Sequence, residues 1–305
     1  MAARWTSRCP SCRTRAAAGR ALLALLVACL LGASGQAQPA ALAVTLHSRA
    51  MQPGELVLAD ITAPAETSAV SVSVFGADWP AFRTDDGTWR APIGIDLDTR
   101  PGSYPLLVQG AGPEPTTLTQ TLVVLPKQFR RRTLRVAPEF VDPPPQTVER
   151  LEREAALMRE AYASTAPEAH WRDGFSRPVG ERANSSFGTR SVFNGKPRNP
   201  HAGTDFLSPT GTLVHAPAAG RVVVARDLFF TGNTVVLDHG LGVFSMLAHL
   251  SRVDVHEGQV VTRGEGLGAV GATGRVTGPH LHWALRLGTA RVDAMSALAL
   301  LPVDR

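Results

Sequence analysis

The stretch VTGPHLHWALR, residues 276–286, places two of the chain's nine histidines one residue apart, at His280 and His282. Residues i and i+2 of an extended strand project from the same face, so both imidazoles should lie on one side, about 7 Å apart. That separation is awkward for two ligands of one ion, but it suits one metal ligand beside one acid or base. The alternative is a pair of polar residues on a solvated strand face, so other segments must decide between them.

A second polar cluster lies upstream in NPHAGTDF, residues 199–206, where His201 and Asp205 are four residues apart. Pro200 and Gly203 disfavour a helix here, and four fully extended residues would span about 13 Å. Two ligands of one zinc ion each lie only about 2 Å from it. The chain must therefore bend between the two side chains, and we expect Gly203 to permit that bend.

These residues together form the donor set of a metal site, with a third ligand supplied by the histidine pair at 280 and 282. A shared cation would offset the cost of burying polar groups. Two imidazoles and one carboxylate suit Zn²⁺, and three protein ligands leave a fourth position for water, which is the arrangement of catalytic zinc sites. A structural zinc site would instead need four ligands, usually cysteines.

The amino-terminal residues predict a secretory signal peptide over residues 1–37. Five arginines precede residue 21, an apolar run follows over residues 21–33, and small residues lead to Ala37, after which we expect cleavage. The apolar run is too short for a comfortable membrane span. We therefore expect an exported protein, in the periplasm or elsewhere in the cell envelope, with no transmembrane helix in the mature chain.

Charge and cysteine content depend on this leader. Five of the 31 basic residues lie within it, so the remaining chain has 26 basic and 26 acidic residues and no formal net charge. A nucleic-acid partner is therefore not expected. All three cysteines also fall in the leader, which excludes disulfides in the mature chain. One alternative is a lipid anchor at Cys29, because LVAC, residues 26–29, resembles a bacterial lipobox.

Periodicity divides the rest of the chain into three parts. Residues 43–126 contain short alternating apolar runs between glycine turns, which predicts an immunoglobulin-like β-sandwich. Residues 127–175 are predicted to be a proline-rich linker with an amphipathic helix, capped at its N-terminus by Thr147. Residues 176–305 contain glycine-rich β-runs and seven of the nine histidines, which predicts an antiparallel β-domain that carries the chemistry. We therefore expect a mainly β protein.

Three segments of this last part resemble the M23 (LytM/lysostaphin) peptidases. They are the His201-x-Gly-x-Asp205 motif, LAHLS around His249, and GATGRVTGPHLHW, residues 271–283. The resemblance covers about residues 187–292. It implies a LytM-like catalytic domain and a zinc endopeptidase that cuts the peptide stems of bacterial peptidoglycan.

The resemblance also implies a role for each of five residues. His201, Asp205 and His282 would bind one zinc ion, while His249 and His280 would be unliganded catalytic histidines. Zinc lowers the pKa of water to about 7 and polarises the scissile carbonyl. Because histidine titrates near neutrality, His280 is interpreted as the base and His249 as the group that stabilises the oxyanion or protonates the leaving amine. The sequence leaves the assignment of the base between these two histidines open.

Two other functions are compatible with parts of this pattern. The first is a non-catalytic M23-like module that binds or activates other cell-wall hydrolases; such relatives typically lack zinc ligands, whereas here all five positions are filled. The second is an extracellular β-protein with a structural zinc ion. The composition and leader favour a Gram-negative periplasm, and hence a D-Ala–diaminopimelate cross-link as substrate. We also hypothesise that the N-terminal domain or the helix partly covers the groove and controls substrate access.

Overall fold

The computed structural model describes residues 41–135, 141, 144–163, 165–184 and 186–301. The predicted signal peptide, residues 1–37, and the alternative lipid anchor at Cys29 lie outside the described residues. Twenty strands and two helices form the regular structure of the described part, which confirms the prediction of a mainly β protein. Within these ranges no helix is both long enough and apolar enough to cross a membrane.

The N-terminal half folds into two four-stranded antiparallel sheets. Its strands are β1 (Ala43–His47), β2 (Leu56–Thr62), β3 (Ala69–Val74), β4 (Ala77–Pro80), β5 (Phe82–Arg83), β6 (Trp89–Gly94), β7 (Gly102–Ala111) and β8 (Thr116–Val124). The first sheet has the order β1-β2-β6-β5 and the second has the order β4-β3-β7-β8. Strand β3 has the expected alternation, because Val70, Val72 and Val74 are buried whereas Ala69 and Ser71 are exposed.

The first sheet is covered on both faces, by the second sheet and by the C-terminal half of the chain. Strand β2 is accordingly buried almost throughout, as expected for a strand with no solvated face. Gly94 of β6 lies so close to Ala290 that an added Cβ would be 2.6 Å from the Ala290 side chain. One hydrophobic cluster therefore joins Ile61 and Ile93 of the first sheet with Trp283 of the C-terminal half.

A long helix, α1 (Pro145–Ala163), follows the short strand β9 (Arg131–Leu134). The helix begins two residues before Thr147, so the prediction that Thr147 caps it was wrong. Pro145 occupies the first helical position instead, where its fixed φ and missing N–H are tolerated. The Thr147 hydroxyl lies inside the first turn and donates a hydrogen bond to the carbonyl of Pro144 at 2.7 Å.

The C-terminal half is built on a nine-stranded antiparallel sheet. Its elements are β10 (Arg190–Phe193), β11 (Lys196–Pro197), β12 (Thr204–Phe206), β13 (Leu213–His215), β14 (Gly220–Leu228), β15 (Gly232–Asp238), β16 (Val243–Val253), β17 (Val260–Val261), β18 (Gly266–Val270), β19 (Leu281–Leu287), β20 (Ala290–Val292) and α2 (Ala294–Leu300). The large sheet has the order β12-β19-β16-β15-β14-β17, and β18 pairs with β13 and β16 while β20 pairs with β19. Strands β11, β10 and β9 form a separate small sheet, in which β9 and β10 are parallel.

Helix α1 packs on one face of the large sheet. Its Tyr162 ring lies edge-on to Phe244 of β16, with 5.2 Å between ring centroids, and the Arg286 guanidinium of β19 is 4.4 Å from the centre of the Tyr162 ring. Because strand residues alternate between faces, His282 shares this face with Arg286, whereas Trp283 faces the main core. The helix therefore covers part of the sheet face that presents one of the predicted zinc ligands.

A buried hydrogen-bond chain supports the opposite face of β19. The indole N–H of Trp283 donates to Ser245 Oγ at 3.0 Å, and His239 Nε2 lies 2.9 Å from the same hydroxyl. His239 Nδ1 is 2.7 Å from the carbonyl of Ala219, so Nδ1 carries the proton and Nε2 accepts from Ser245. His239 is fully buried, and this burial lowers its pKa to about 4.

The pKa of His239 predicts how stability depends on pH. As the pH falls, His239 takes up a proton at a higher pH in the unfolded chain, where its pKa is 6.5, than in the folded chain, where its pKa is about 4. The contribution of the neutral, buried His239 to stability is complete above the pKa of the unfolded chain and is lost as the pH falls towards the pKa of the folded chain. We expect the unfolding free energy of the wild type in urea to fall by about 2 kcal/mol more than that of His239→Gln, which cannot titrate, between about pH 7.5 and pH 5. Equal losses in the two proteins would contradict the expectation.

Candidate metal centre

The pairing of β12 with β19 brings two of the predicted ligands, Asp205 and His282, together. Asp205 lies directly opposite His282 in the antiparallel register. The Nδ1 atom of His282 is 3.0 Å from Oδ1 of Asp205. Residues 77 positions apart in the sequence therefore become neighbours on one sheet face, and the sheet register fixes their separation.

His201 reaches the same carboxylate from the segment that precedes β12. Its Nε2 atom is 3.1 Å from Asp205 Oδ1, and its ring centroid is 4.8 Å from that of His282. Its Nδ1 atom is 3.1 Å from the carbonyl oxygen of Ser186. A carbonyl only accepts hydrogen bonds, so Nδ1 carries the proton and the lone pair of Nε2 is directed at the carboxylate.

Gly203 makes room for the third ligand. An added Cβ there would lie 2.5 Å from the His282 ring and 2.9 Å from the carbonyl oxygen of Trp283. Gly203 is not among the glycines with positive φ. Gly203 therefore does not use the left-handed conformation open to glycine, and the close approach of His282 is what requires the absence of a side chain.

The two other predicted histidines lie beside this group. His249 belongs to β16, whose Ala248 is opposite His282, and His280 precedes β19 and bridges to Gly271. The rings of His249 and His280 are 4.8 Å apart, and His280 Nε2 is 3.9 Å from Asp205 Oδ1. All five predicted site residues are thus brought together.

Backbone carbonyls orient both of these rings. His249 Nδ1 lies 2.9 Å from the carbonyl of Thr273, and His280 Nδ1 lies 2.9 Å from the carbonyl of Gly278. Each Nδ1 is therefore the protonated nitrogen of the neutral ring, which leaves Nε2 as the basic atom. Sequence reasoning missed the roles of Ser186, Thr273 and Gly278, because they act through their main-chain oxygens and no side-chain pattern identifies them.

The site holds its groups in the protonation states that bind a cation. Burial opposes ionisation of Asp205, but the adjacent imidazoles of His201 and His282 hold its pKa well below the usual range. Burial lowers the pKa of His282, and it lowers the pKa of His249 to about 4. The carboxyl group is therefore ionised at neutral pH, while the His249 and His282 imidazoles are neutral. Metal ligands require these forms.

His249 has a strained backbone as well as a buried ring. Its φ is 66°, in the left-handed region that non-glycine residues rarely adopt. Its N–H donates to the carbonyl of Thr231 at 2.9 Å, and only 7% of the residue is exposed. Such conformations cost about 1–3 kcal/mol and occur preferentially at functional sites.

The donor set fits a metal ion. One ligand atom from each of His201, Asp205 and His282 lies within 4.8 Å of the others. Two neutral imidazoles and one carboxylate form a set that suits zinc, with room for a further ligand. The side chains of these three residues and of His280 are 12–19% exposed, so the centre is shielded but reachable from solvent.

Comparisons with known proteins agree with this geometry. Residues 199–294 match peptidase family M23. A Pseudomonas aeruginosa protein assigned to the same family, known from a crystal structure, is 35% identical; the alignment covers 80% of this chain and 92% of that one, with a TM-score of 0.63. The chain belongs to peptidase family M23.

Among the similar proteins are some whose names describe an activity. Peptidoglycan DD-endopeptidase ShyA of Vibrio cholerae is 47% identical over 98 residues, which are 32% of this chain and 23% of ShyA. DD-carboxypeptidase/endopeptidase Mpg of Neisseria meningitidis is 42% identical over 96 residues, which are 32% of this chain and 22% of Mpg. The matched segment thus spans less than a quarter of either relative.

Metal content should separate the ligands from the other histidines. We expect the full-length chain to bind about one equivalent of zinc after dialysis. Asp205→Ala and His282→Ala should bind almost none, because each removes a donor from a three-ligand set, whereas His249→Ala and His280→Ala should keep the ion. Elemental analysis by mass spectrometry measures the content. Equal zinc content in Asp205→Ala and the wild type would contradict the assignment of the ligands.

Proposed function

We propose that this M23 chain is a zinc endopeptidase that hydrolyses the peptide cross-links of bacterial peptidoglycan. The observation that carries the proposal is that three ligand atoms and the rings of two further histidines meet in one shielded cluster. The printed activities of ShyA and Mpg support the substrate class. The filled ligand positions disfavour a non-catalytic module, and the extensive hydrophobic core disfavours a purely structural metal.

The metal would be held by His201, Asp205 and His282. A zinc ion bound there supplies Lewis acidity, which polarises a carbonyl oxygen and lowers the pKa of water. Asp205 stays ionised and contacts both imidazoles, so it fixes the two rings relative to each other. The Ser186 carbonyl holds the His201 ring in the tautomer that presents Nε2.

The two remaining histidines would move the protons. His280 Nε2 lies 3.9 Å from Oδ1 of the carboxylate ligand Asp205, so we assign to His280 the proton taken from the attacking water. The water oxygen adds to the carbonyl carbon, the C–N bond breaks, and the leaving nitrogen takes up a proton. His249 faces His280 across 4.8 Å. Once Nε2 of His249 carries the proton that His280 took from the water, it would hydrogen-bond the developing oxyanion or deliver that proton to the leaving nitrogen.

The organisation of the rest of the chain is part of the proposal. Residues 1–37 would direct export to the periplasm, with lipidation at Cys29 as the alternative. Residues 43–126, which form the two four-stranded sheets, would be an immunoglobulin-like accessory domain, and residues 127–175 would connect it to a peptidase domain over residues 176–305. The predicted D-Ala–diaminopimelate bond remains the proposed site of cleavage.

Digestion of purified peptidoglycan tests the reaction. We expect the wild type to convert cross-linked muropeptide dimers into monomers, with the mass of one water added per bond cut, as measured by mass spectrometry. His282→Ala should release none, because a ligand is lost. His215→Ala is a matched control, because its ring bonds to the carbonyl of Gly264 outside the cluster. Persistence of dimers with zinc-loaded wild type would argue against the proposed reaction.

The proton-transfer roles predict a separate kinetic effect. His249→Ala and His280→Ala should each lower kcat by about 10²–10⁴-fold, the usual contribution of general acid–base catalysis. Both variants should still contain zinc, so the loss would not reflect an empty site. A synthetic cross-linked muropeptide serves as substrate in steady-state assays. Wild-type kcat in either variant would remove that histidine from the mechanism.

A further inference from the structure

The strand that carries Asp205 is tied to the N-terminal half by a chain of polar contacts. Thr204 immediately precedes Asp205 in β12 and is fully buried. Its hydroxyl donates to Asp293 Oδ1 at 2.9 Å. Asp293 also caps α2 by accepting from the N–H of Met295 at 3.1 Å, and it accepts from the guanidinium of Arg49 at 2.7 Å. Asp293 thus links β12, α2 and the N-terminal half.

Arg49 is itself fixed by a buried carboxylate. Its Nε and one terminal nitrogen donate to Glu55 at 2.9 and 3.0 Å. Glu55 is only 4% exposed, and it also accepts from Ser296 Oγ at 2.6 Å and Lys127 Nζ at 2.9 Å. A buried carboxylate with this many donors is held in one position, and bidentate pairing holds the arginine fork with it.

The same N-terminal segment also borders the His201 side of the site. Gly54, next to Glu55, lies against the Phe187 ring, where an added Cβ would be 2.4 Å away. Ser186, which precedes Phe187, contacts His201 through its carbonyl at 3.1 Å. Its hydroxyl accepts from the N–H of Asp205 at 3.3 Å. Two series of contacts therefore connect residues 49–55 with the ligands Asp205 and His201.

Strand β12 depends on such side-chain support. It has three residues and lies at one end of the order of the nine-stranded sheet. On the side away from β19, the backbone contacts among the described residues are an isolated bridge between Phe206 and Ala183 and a hydrogen bond from the Asn184 N–H to the Asp205 carbonyl. A side-chain anchor at Thr204 therefore has a direct effect on where the Asp205 carboxylate is placed.

We propose that Arg49 is a positioning residue for the metal ligand Asp205, acting through Asp293 and Thr204. The N-terminal half would thus help to set the metal affinity of the site in addition to packing against it. This inference rests on the proposed function, because it assumes a zinc ion at His201, Asp205 and His282. Mutation of a residue that orients a metal ligand without binding the metal itself typically lowers metal affinity by about 10–100-fold.

Zinc affinity of the full-length chain tests the proposal. We expect Arg49→Gln and Thr204→Val to raise the zinc Kd by about 10–100-fold, measured by competition with a chromophoric chelator. Thr204→Ser keeps the hydroxyl and should restore wild-type affinity. Arg90→Gln is the matched control, because Arg90 makes a similar ion pair with Asp60, at 2.6 Å, within the first sheet.

Thermal unfolding of the metal-free proteins distinguishes positioning from general destabilisation. If the role of Arg49 were purely structural, Arg49→Gln and Arg90→Gln would each differ from the wild type in melting temperature, and neither would differ from it in zinc Kd. Wild-type Kd in both Arg49→Gln and Thr204→Val would overturn the proposal. Peptidoglycan cleavage is scored separately: zinc-loaded wild type that fails to cleave would overturn the reaction, while the Kd series alone decides the positioning role.

Discussion

The cross-strand pair of Asp205 and His282 is the interaction on which the site depends. Its 3.0 Å contact is set by the register of β12 against β19, so sheet hydrogen bonding places a carboxylate and an imidazole on one shielded face. A shift of one residue would turn Asp205 to the opposite face. A partly buried carboxylate stays ionised there only while it contacts hydrogen-bond donors or a cation. His201 completes that environment.

The histidines of this chain illustrate how surroundings decide the role of one residue type. His239 is buried, and both ring nitrogens are satisfied by Ala219 and Ser245, so its ring serves the fold. His249 and His280 are each bonded at Nδ1 to a main-chain carbonyl. Their Nε2 atoms are left for chemistry, and the strained backbone of His249 indicates that the fold tolerates a cost to place that ring.

The two halves of the chain are joined by packing as well as by covalent connection. The first sheet lies between the second sheet and the C-terminal half, and their buried side chains form one cluster. Helix α1 lies on the sheet face that also presents His282, through the contacts of Tyr162 with Phe244 and Arg286. That is the arrangement which the hypothesis of controlled substrate access requires, although control of access itself stays a prediction.

The sequence by itself determined the mainly β class and predicted an amphipathic helix within residues 127–175, because alternation and helical periodicity are local properties. Its resemblance to the M23 peptidases pointed to the five residues that the fold brings together. It did not predict the short strands β4, β5, β9–β12 and β20, since strands of two to four residues show little periodicity. Only the tertiary structure decided three features of the site. They are the need for a glycine at position 203, the carbonyls that orient the rings, and the link from Arg49 to Thr204. Each of these depends on atoms that are distant in the chain and meet only after the sheets have formed, and no local pattern records such a meeting.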